Sequence, residues 1–299
     1  MLQTTKYVMK KWFCYYLIIL PLLLQTGCIR QDEPDCSEDH VELKIDWSGV
    51  TAQQPDGKWL VVYPEDVSVK PFSIELIKDD VNDPLPNKNY RALLLAMNKE
   101  FVSIDFQEME RLERATVVLK KPADDDHYAH TEMIYSVCVE VKRARRGSRT
   151  LLLKPKPLAM KATFVMKCPG VSQVHAHLTG IPVVLNLSDQ TVVYGDEQQY
   201  LGLNTAYANN EVTLSGNLLL PTTAAEATRA DLGVSLQLDI NLFYEDGTTE
   251  DLKVDVTQAM NAVASGDIPS GEVVFELKKI GVTAVVADWK VGTGEGVID

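Results

Sequence analysis

The chain has 299 residues, 42 of them acidic and 29 basic, for a formal charge of −13. That balance argues against a nucleic-acid partner, whose phosphates would be repelled at long range, and against a protein that lies flat on an anionic membrane. A hydrophobic share of 45% is ordinary for a globular protein, and a chain of this length is expected to fold as two domains.

Lys6, Lys10 and Lys11 open the chain with positive charge, and the uncharged apolar run Trp12 to Leu24 leads into Gln25-Thr26-Gly27-Cys28. The run is too short for a permanent membrane helix and has the layout of a secretory signal. A small residue directly before a cysteine fits a bacterial lipoprotein signal, cut between Gly27 and Cys28 and acylated on the Cys28 thiol. Gln25 departs from that pattern, since an aliphatic residue is usual there; a plain signal peptide or a retained anchor is the alternative. Loss of residues 1–27, which hold three lysines and no acid, takes the formal charge from −13 to −16 over 272 residues. At least two acyl chains on Cys28, palmitate among them, would hold the remainder on the outer membrane. Cys36, Cys138 and Cys168 are too few for a disulfide scaffold. Cys138 and Cys168 lie in apolar runs and are expected as buried free thiols, with a bridge between them as the alternative.

Residues 28–40 are polar and acidic, with Gln31-Asp32-Glu33-Pro34-Asp35 and then Glu38-Asp39, and read as a tether. Val41 to Trp47 alternates apolar and polar, the period of a strand with one buried face. Trp59 to Tyr63 follows the Asp56-Gly57 turn as a second strand, and Phe72 to Ile77 alternates again. Val81 to Asn89, with Pro84 and Pro86, is expected as a loop. Tyr90 to Asn98 could be helical by propensity, but its shortness and its flanking turn signals favour a strand. Val102 to Phe106, Ala115 to Leu119 and Met133 to Val141 are further strands, with a charged loop over Lys121 to Ala129 and a basic run from Lys142 to Gly147. The domain boundary is expected within Arg146 to Arg149, giving a first sandwich over 41–148 and a second over 149–299. In the second, strands are expected at Thr150 to Lys154, Met160 to Lys167, Val174 to Leu178, Val183 to Leu187, Glu211 to Leu220 and Val234 to Phe243. Tyr244-Glu245-Asp246-Gly247-Thr248 then reads as a hairpin turn back through Leu252, Val254 and Val256. Thr257 could cap a short helix over Gln258 to Ala264, ended by Gly266. Glu272 to Leu277 and Val282 to Val286 close the strand set, before Asp288-Trp289 and a Gly-rich tail, Gly292 to Gly296. The pattern is all-β: two antiparallel β-sandwich domains in series, with at most one short helix, in the second.

Residues able to carry chemistry are sparse. His127-Tyr128-Ala129-His130 beside Asp124, Asp125 and Asp126 could offer metal ligands, but the stretch lacks a calcium-loop ending and reads as a solvated loop. His175 and His177 share a strand face, yet no third ligand can be assigned. No Gly-x-Ser-x-Gly elbow occurs, and Gly292-Thr293-Gly294-Glu295-Gly296 opens no helix that could cradle phosphate. The Arg143 to Arg149 cluster reads as a solvated linker, with a protease site or an acidic docking patch as alternatives. No enzyme, cofactor site or metal site is expected.

Asp46-Trp47-Ser48-Gly49, then Gly57-Lys58-Trp59 and Val62-Tyr63-Pro64-Glu65-Asp66, resembles the opening of the fimbrillin-like anchor and accessory lipoproteins of the Bacteroidota. In that family an FDW strand is followed by an FYPEDG strand; here Val67 replaces the glycine. Tyr90 to Asn98 is similar to the family's G-x-Y-x-x-L-x-x-N strand, with Asn89 in place of glycine, and Val285-Val286-Ala287-Asp288-Trp289 is similar to its distal end. The acidic residues after Cys28 resemble the phylum's surface-export signal, interrupted by Ile29-Arg30. The resemblance implies transthyretin-like sandwiches, a place among other fimbrial subunits at the cell surface, and assembly by β-strand addition. It also implies that stalk subunits lose a first strand to an arginine-specific protease. No arginine lies between Val41 and Pro71, so an anchor or accessory subunit is expected. A surface lipoprotein that binds glycan or host protein through loops such as Val81 to Asn89 is the alternative.

Overall fold

The computed structural model describes residues 41–50, 54–85, 88–100, 103–121, 127–143, 149–195, 199–219, 235–264, 271–281 and 283–291. The expected signal peptide, Gly27, Cys28, Cys36, the acidic tether, Asp124 to Asp126, Gly266 and the Gly-rich tail lie outside these residues. Strands are numbered here in chain order.

The first half is built on β2 (Gly57–Pro64) and β5 (Tyr90–Met97), which lie at the centre of a five-stranded sheet. Their flanking strands are β3 (Phe72–Glu75) at one end, and β9 (Tyr135–Val141) followed by β11 (Lys156–Pro157) at the other. This sheet is buried on both faces. Leu60, Val62, Ala92, Leu94 and Ala96 pack into a small cluster with Val41, Leu43 and Leu153, while Val61, Leu93, Leu95 and Met97 point into a larger one. Double burial explains why Tyr90-Arg91-Ala92-Leu93-Leu94-Leu95-Ala96-Met97 shows no clean alternation: a central strand with two covered faces has little need of polar positions.

Over the first face lies a three-stranded sheet in which β1 (Val41–Ile45) is central, between β10 (Arg149–Leu153) and β4 (Asp80–Leu85). The expectation of a loop at Val81 to Asn89 is corrected over 80–85. Pro84 is tolerated because β4 is an end strand, where a missing N–H costs no ladder bond on the open side. A four-stranded sheet combines β6 (Ile104–Gln107) and β7 (Thr116–Leu119) with β14 (Pro182–Asn186) and β15 (Val192–Tyr194).

The second half contains two five-stranded sheets. One runs β17 (Asn204–Ala208), β18 (Glu211–Leu219), β12 (Ala159–Lys167), β21 (Glu272–Ile280) and β22 (Thr283–Val291). The other runs β20 (Thr249–Asp255), β19 (Gln237–Tyr244), β13 (Val171–Thr179), β16 (Tyr200–Gly202) and β8 (His127–Tyr128). The alternation along β19 and β20 buries Leu238, Ile240, Leu242, Leu252 and Val254, as expected. The hairpin turns at Asp246-Gly247. The Asp246 carboxylate accepts from the Thr248 N–H at 2.9 Å, and Gly247 adopts a φ of 83°.

The fold is therefore an all-β arrangement of packed sheets, with three departures from a purely antiparallel pattern: β1 with β10, β12 with β21, and β16 with β8 are parallel pairs. In the second pair Phe164 stands opposite Phe275, and their rings stack at 5.1 Å. Hydrogen bonding also crosses residues 148 and 149: β10 joins β1, while β8, from the first half, joins a sheet of the second.

The one helix among the described residues is α1 (Thr257–Ala264). Its cap differs from the expectation. The Thr257 hydroxyl accepts the buried Leu236 N–H at 2.8 Å, and the Asp255 carboxylate accepts the Thr257 N–H at 2.9 Å. Tertiary demand for an acceptor at Leu236 thus takes the hydroxyl away from the helix end. No helix among the described residues is long and apolar enough to cross a membrane.

Candidate functional site: an open strand edge

β22 ends its sheet and is nine residues long, with β21 on one side and no described strand hydrogen-bonded on the other. A bulge at Ala287 interrupts the strand, so Trp289 and Val291 stand opposite Phe275 and Val273 on the core-side face, while Val285 stands opposite Lys278 on the outer face. Val285, Ala287, Trp289 and Val291 are exposed, and all but Ala287 count among the exposed large hydrophobic residues. Long end strands are normally shortened, charged or covered, because their free N–H and C=O groups template pairing with another chain. Here Asp288 and Lys290 share the outer face with Val285, while Trp289 and Val291 stay exposed at the end of the core-side face.

The edge is braced from beneath. Lys279 on β21 donates to the Tyr244 hydroxyl at 3.0 Å and pairs with Glu250 on β20. Tyr244 in turn donates to Glu250 Oε2 at 2.7 Å and contacts the Cys168 thiol at 3.4 Å. Burial works against the Lys279 charge, but the bonds to Glu250 and Tyr244 outweigh it and hold its pKa above the ordinary lysine value. Burial, helped by the Cys168 contact, pushes Tyr244 up to about 12. The Lys279 ammonium holds the Glu250 carboxyl below its usual range. This network ties the β19–β20 hairpin to the strand beside β22.

A second open feature lies in the first half. A cavity of about 850 Å³ is bounded by two end strands, β3 (Phe72, Ser73) and β6 (Phe106), with Trp59, Val61, Leu95 and Met97 among its lining. Val67, at 99% exposure, and Val69 stand on the loop beside it. β3 and β6 are four residues each, so either offers an added strand far fewer main-chain bonds than β22 does.

Three of the histidines singled out by the sequence, His127, His175 and His177, fall on one sheet. His127 and His177 flank the Tyr200 ring, with centroids at 6.0 and 4.8 Å, and His177 lies 3.4 Å from Asp239. His175 meets Phe243 edge-on and bonds Gln173. His127 and Tyr128, expected in a loop, form β8 instead. Two residues have no period to detect, and only their pairing with β16 makes them a strand. His130 is set apart, its ring against the bare backbone of Gly216. No group of three His, Cys, Asp or Glu able to hold a metal occurs among the described residues. Cys138 and Cys168 are both free thiols, but only Cys168 is buried; Cys138 is exposed on β9, which corrects the expectation for it.

This packed-sheet architecture is that of bacterial adhesin and fimbrial β-sandwich proteins. A solved structure described as a candidate adhesin from Bacteroides ovatus superposes with a TM-score of 0.63 at 19% identity, covering 88% of this chain and 97% of that one. The fimbrial anchor protein Mfa2 from Porphyromonas gingivalis superposes with a TM-score of 0.52 at 12% identity, covering 85% and 97%. By sequence, residues 28–201 match the family described as Domain of unknown function (DUF5119), and the chain belongs to that family. It is also 28% identical over 95 residues to Fim4B of Bacteroides ovatus, a protein named as a candidate fimbrium anchoring subunit. That alignment spans 31% of this chain and 28% of the relative.

Proposed function

We propose that this protein is a non-enzymatic anchor or accessory subunit of cell-surface fimbriae. In this reading it is held on the outer membrane by acyl chains on Cys28 and joined to another subunit by β-strand addition along β22. The observation that carries the reading is the β22 edge: a nine-residue end strand with no described strand on its outer side and with Val285, Trp289 and Val291 exposed along it. Strand addition draws affinity from main-chain bonds and specificity from alternate side chains, and β22 offers both. The name of the Fim4B relative agrees with an anchoring role, and the family match opens at Cys28, the residue expected to begin the mature chain.

The experiment pairs two variants in cells. Cys28→Ala should move the protein out of the membrane fraction, with filaments shed into the medium alongside it. Trp289→Lys with Val285→Lys should leave the protein membrane-bound and folded but abolish its co-purification with other subunits. Retention of the Cys28→Ala protein in the membrane would overturn the lipid anchor. Loss of co-purification in Phe72→Asp, at the β3 cavity, with the β22 variant unaffected, would overturn β22 as the edge.

A further inference from the structure

We infer that β1 and β10 form a mechanical clamp, carrying load from the amino-terminal attachment straight into the second half of the chain. The inference rests on the reading above only for the directions of pull: one enters at Val41, the other arrives from the half that carries β22.

The geometry is that of shear. β1 and β10 run parallel in unbroken register, Val41 beside Arg149 through to Ile45 beside Leu153. Tension from the amino side reaches the ladder at the Val41 end. The chain leaves β10 at the other end, at Leu153, and by Ala159 has entered β12, the central strand of the sheet that ends in β22. The two pulls therefore act at opposite ends of one parallel ladder. Its bonds are loaded together and the strands must slide. Had the pulls met at one end, the bonds would open in turn, each resisting alone. On its other side β1 is held by β4, so it has no free edge from which to peel.

The trailing end of β1 is plugged. Trp47 is 7% exposed, meets the Tyr135 ring edge-on at 5.9 Å and donates its indole N–H to Asp79 at 3.1 Å. Sliding β1 toward its amino end would pull this side chain out of its packed place in the cluster it shares with Leu43, Leu60 and Leu94. Beside it the Asp46 N–H donates to the Leu153 carbonyl at 2.8 Å, and Lys154 pairs with the Asp46 carboxylate at 3.5 Å. The chain between Ile45 and Arg149 is bypassed, so the first half can bear tension without stretching.

Single-molecule pulling on the mature protein tests this. One handle is fixed at the amino end and the other either at residue 156, just past β10, or at residue 148, on the amino side of β10. For these attachments Lys156→Cys or Ser148→Cys is used with Cys36 and Cys138 replaced by serine. Forced rupture reports the unfolding barrier along the chosen direction. Pulling at residue 156 should rupture at no less than about twice the force needed with the handle at residue 148, where the ladder peels. Equal forces would overturn the clamp. Trp47→Phe should lower only the force at residue 156; an equal drop in both geometries would overturn the plug. These forces do not depend on lipid, so the clamp and the Cys28 anchor can fail separately.

Discussion

Tyr244 and Glu250 join the two strands of the β19–β20 hairpin, the phenol donating to the carboxylate at 2.7 Å. Lys279 reaches both from β21 and turns a hairpin contact into a link between sheets. Lys279→Met leaves a part-buried carboxylate without its cation and should cost about 1–3 kcal/mol in urea denaturation. The Glu250 pKa is lowered in the folded state. Its contribution is therefore complete above the unfolded value near 4.5 and fades as pH falls through the lower folded value. The stability gap between wild type and Lys279→Met should close in acid. A gap that persists there would mean that packing, not pairing, was lost.

Tyr90 and Tyr135 bury their hydroxyls without a hydrogen-bond partner. Burial pushes Tyr90 up to about 12 and raises Tyr135. Phe at either position removes an unsatisfied group at almost no change in shape. Stability at neutral pH should stay level or rise by up to about 1 kcal/mol. A raised phenol pKa contributes stability that is complete below pH 10 and lost as pH climbs toward the folded value. Alkaline unfolding should therefore begin above pH 10 and shift upward in Tyr90→Phe, read by circular dichroism against phenolate absorbance.

His130 has its Nδ1 buried without a partner, and burial lowers its pKa from the ordinary 6.5. A histidine that resists charging contributes stability above pH 6.5 that is lost as pH falls below it. Wild-type melting temperature should decline between neutral pH and pH 5, and His130→Gln should flatten that decline. An unchanged slope would assign the acid sensitivity to other groups.

Gly180 closes the turn from β13 into β14 with a φ of 67°, and a Cβ there would sit 2.2 Å from the Ser235 carbonyl oxygen. Gly180→Ala meets both a left-handed backbone and a backbone clash. The expected loss is about 2–4 kcal/mol, measured by thermal denaturation. Gly247→Ala, at a similar φ but with open space around it, should lose only about 1 kcal/mol.

Legibility in the sequence followed the number of buried faces. Gln237 to Tyr244 covers one face and could be read residue by residue, down to its Asp246-Gly247 turn. Tyr90 to Met97 covers two, so its period vanished into an apolar run that suited helix or strand. β8, β15 and β16 are two or three residues long, too short to show any period. The segment carrying β22 was visible as a strand near the chain's end, but its length was not. The bulge at Ala287 breaks the two-residue period, and the strand runs on through Asp288 to Val291 past the point where the sequence had suggested an end.

The sequence by itself determined that the chain is acidic and all-β, where its longer strands lie, and that Gly27-Cys28 has the form of a lipoprotein cleavage site. Those are local properties, written in charge, two-residue periodicity and short motifs. Only the tertiary structure decided that Val41 lies beside Arg149, that β1 and β10 run parallel, and that β22 ends its sheet. A strand's side chains mark which face is buried, but every residue offers the same N–H and C=O to a neighbour. Which strand accepts them is settled by how whole sheets cover one another, across separations of more than a hundred residues.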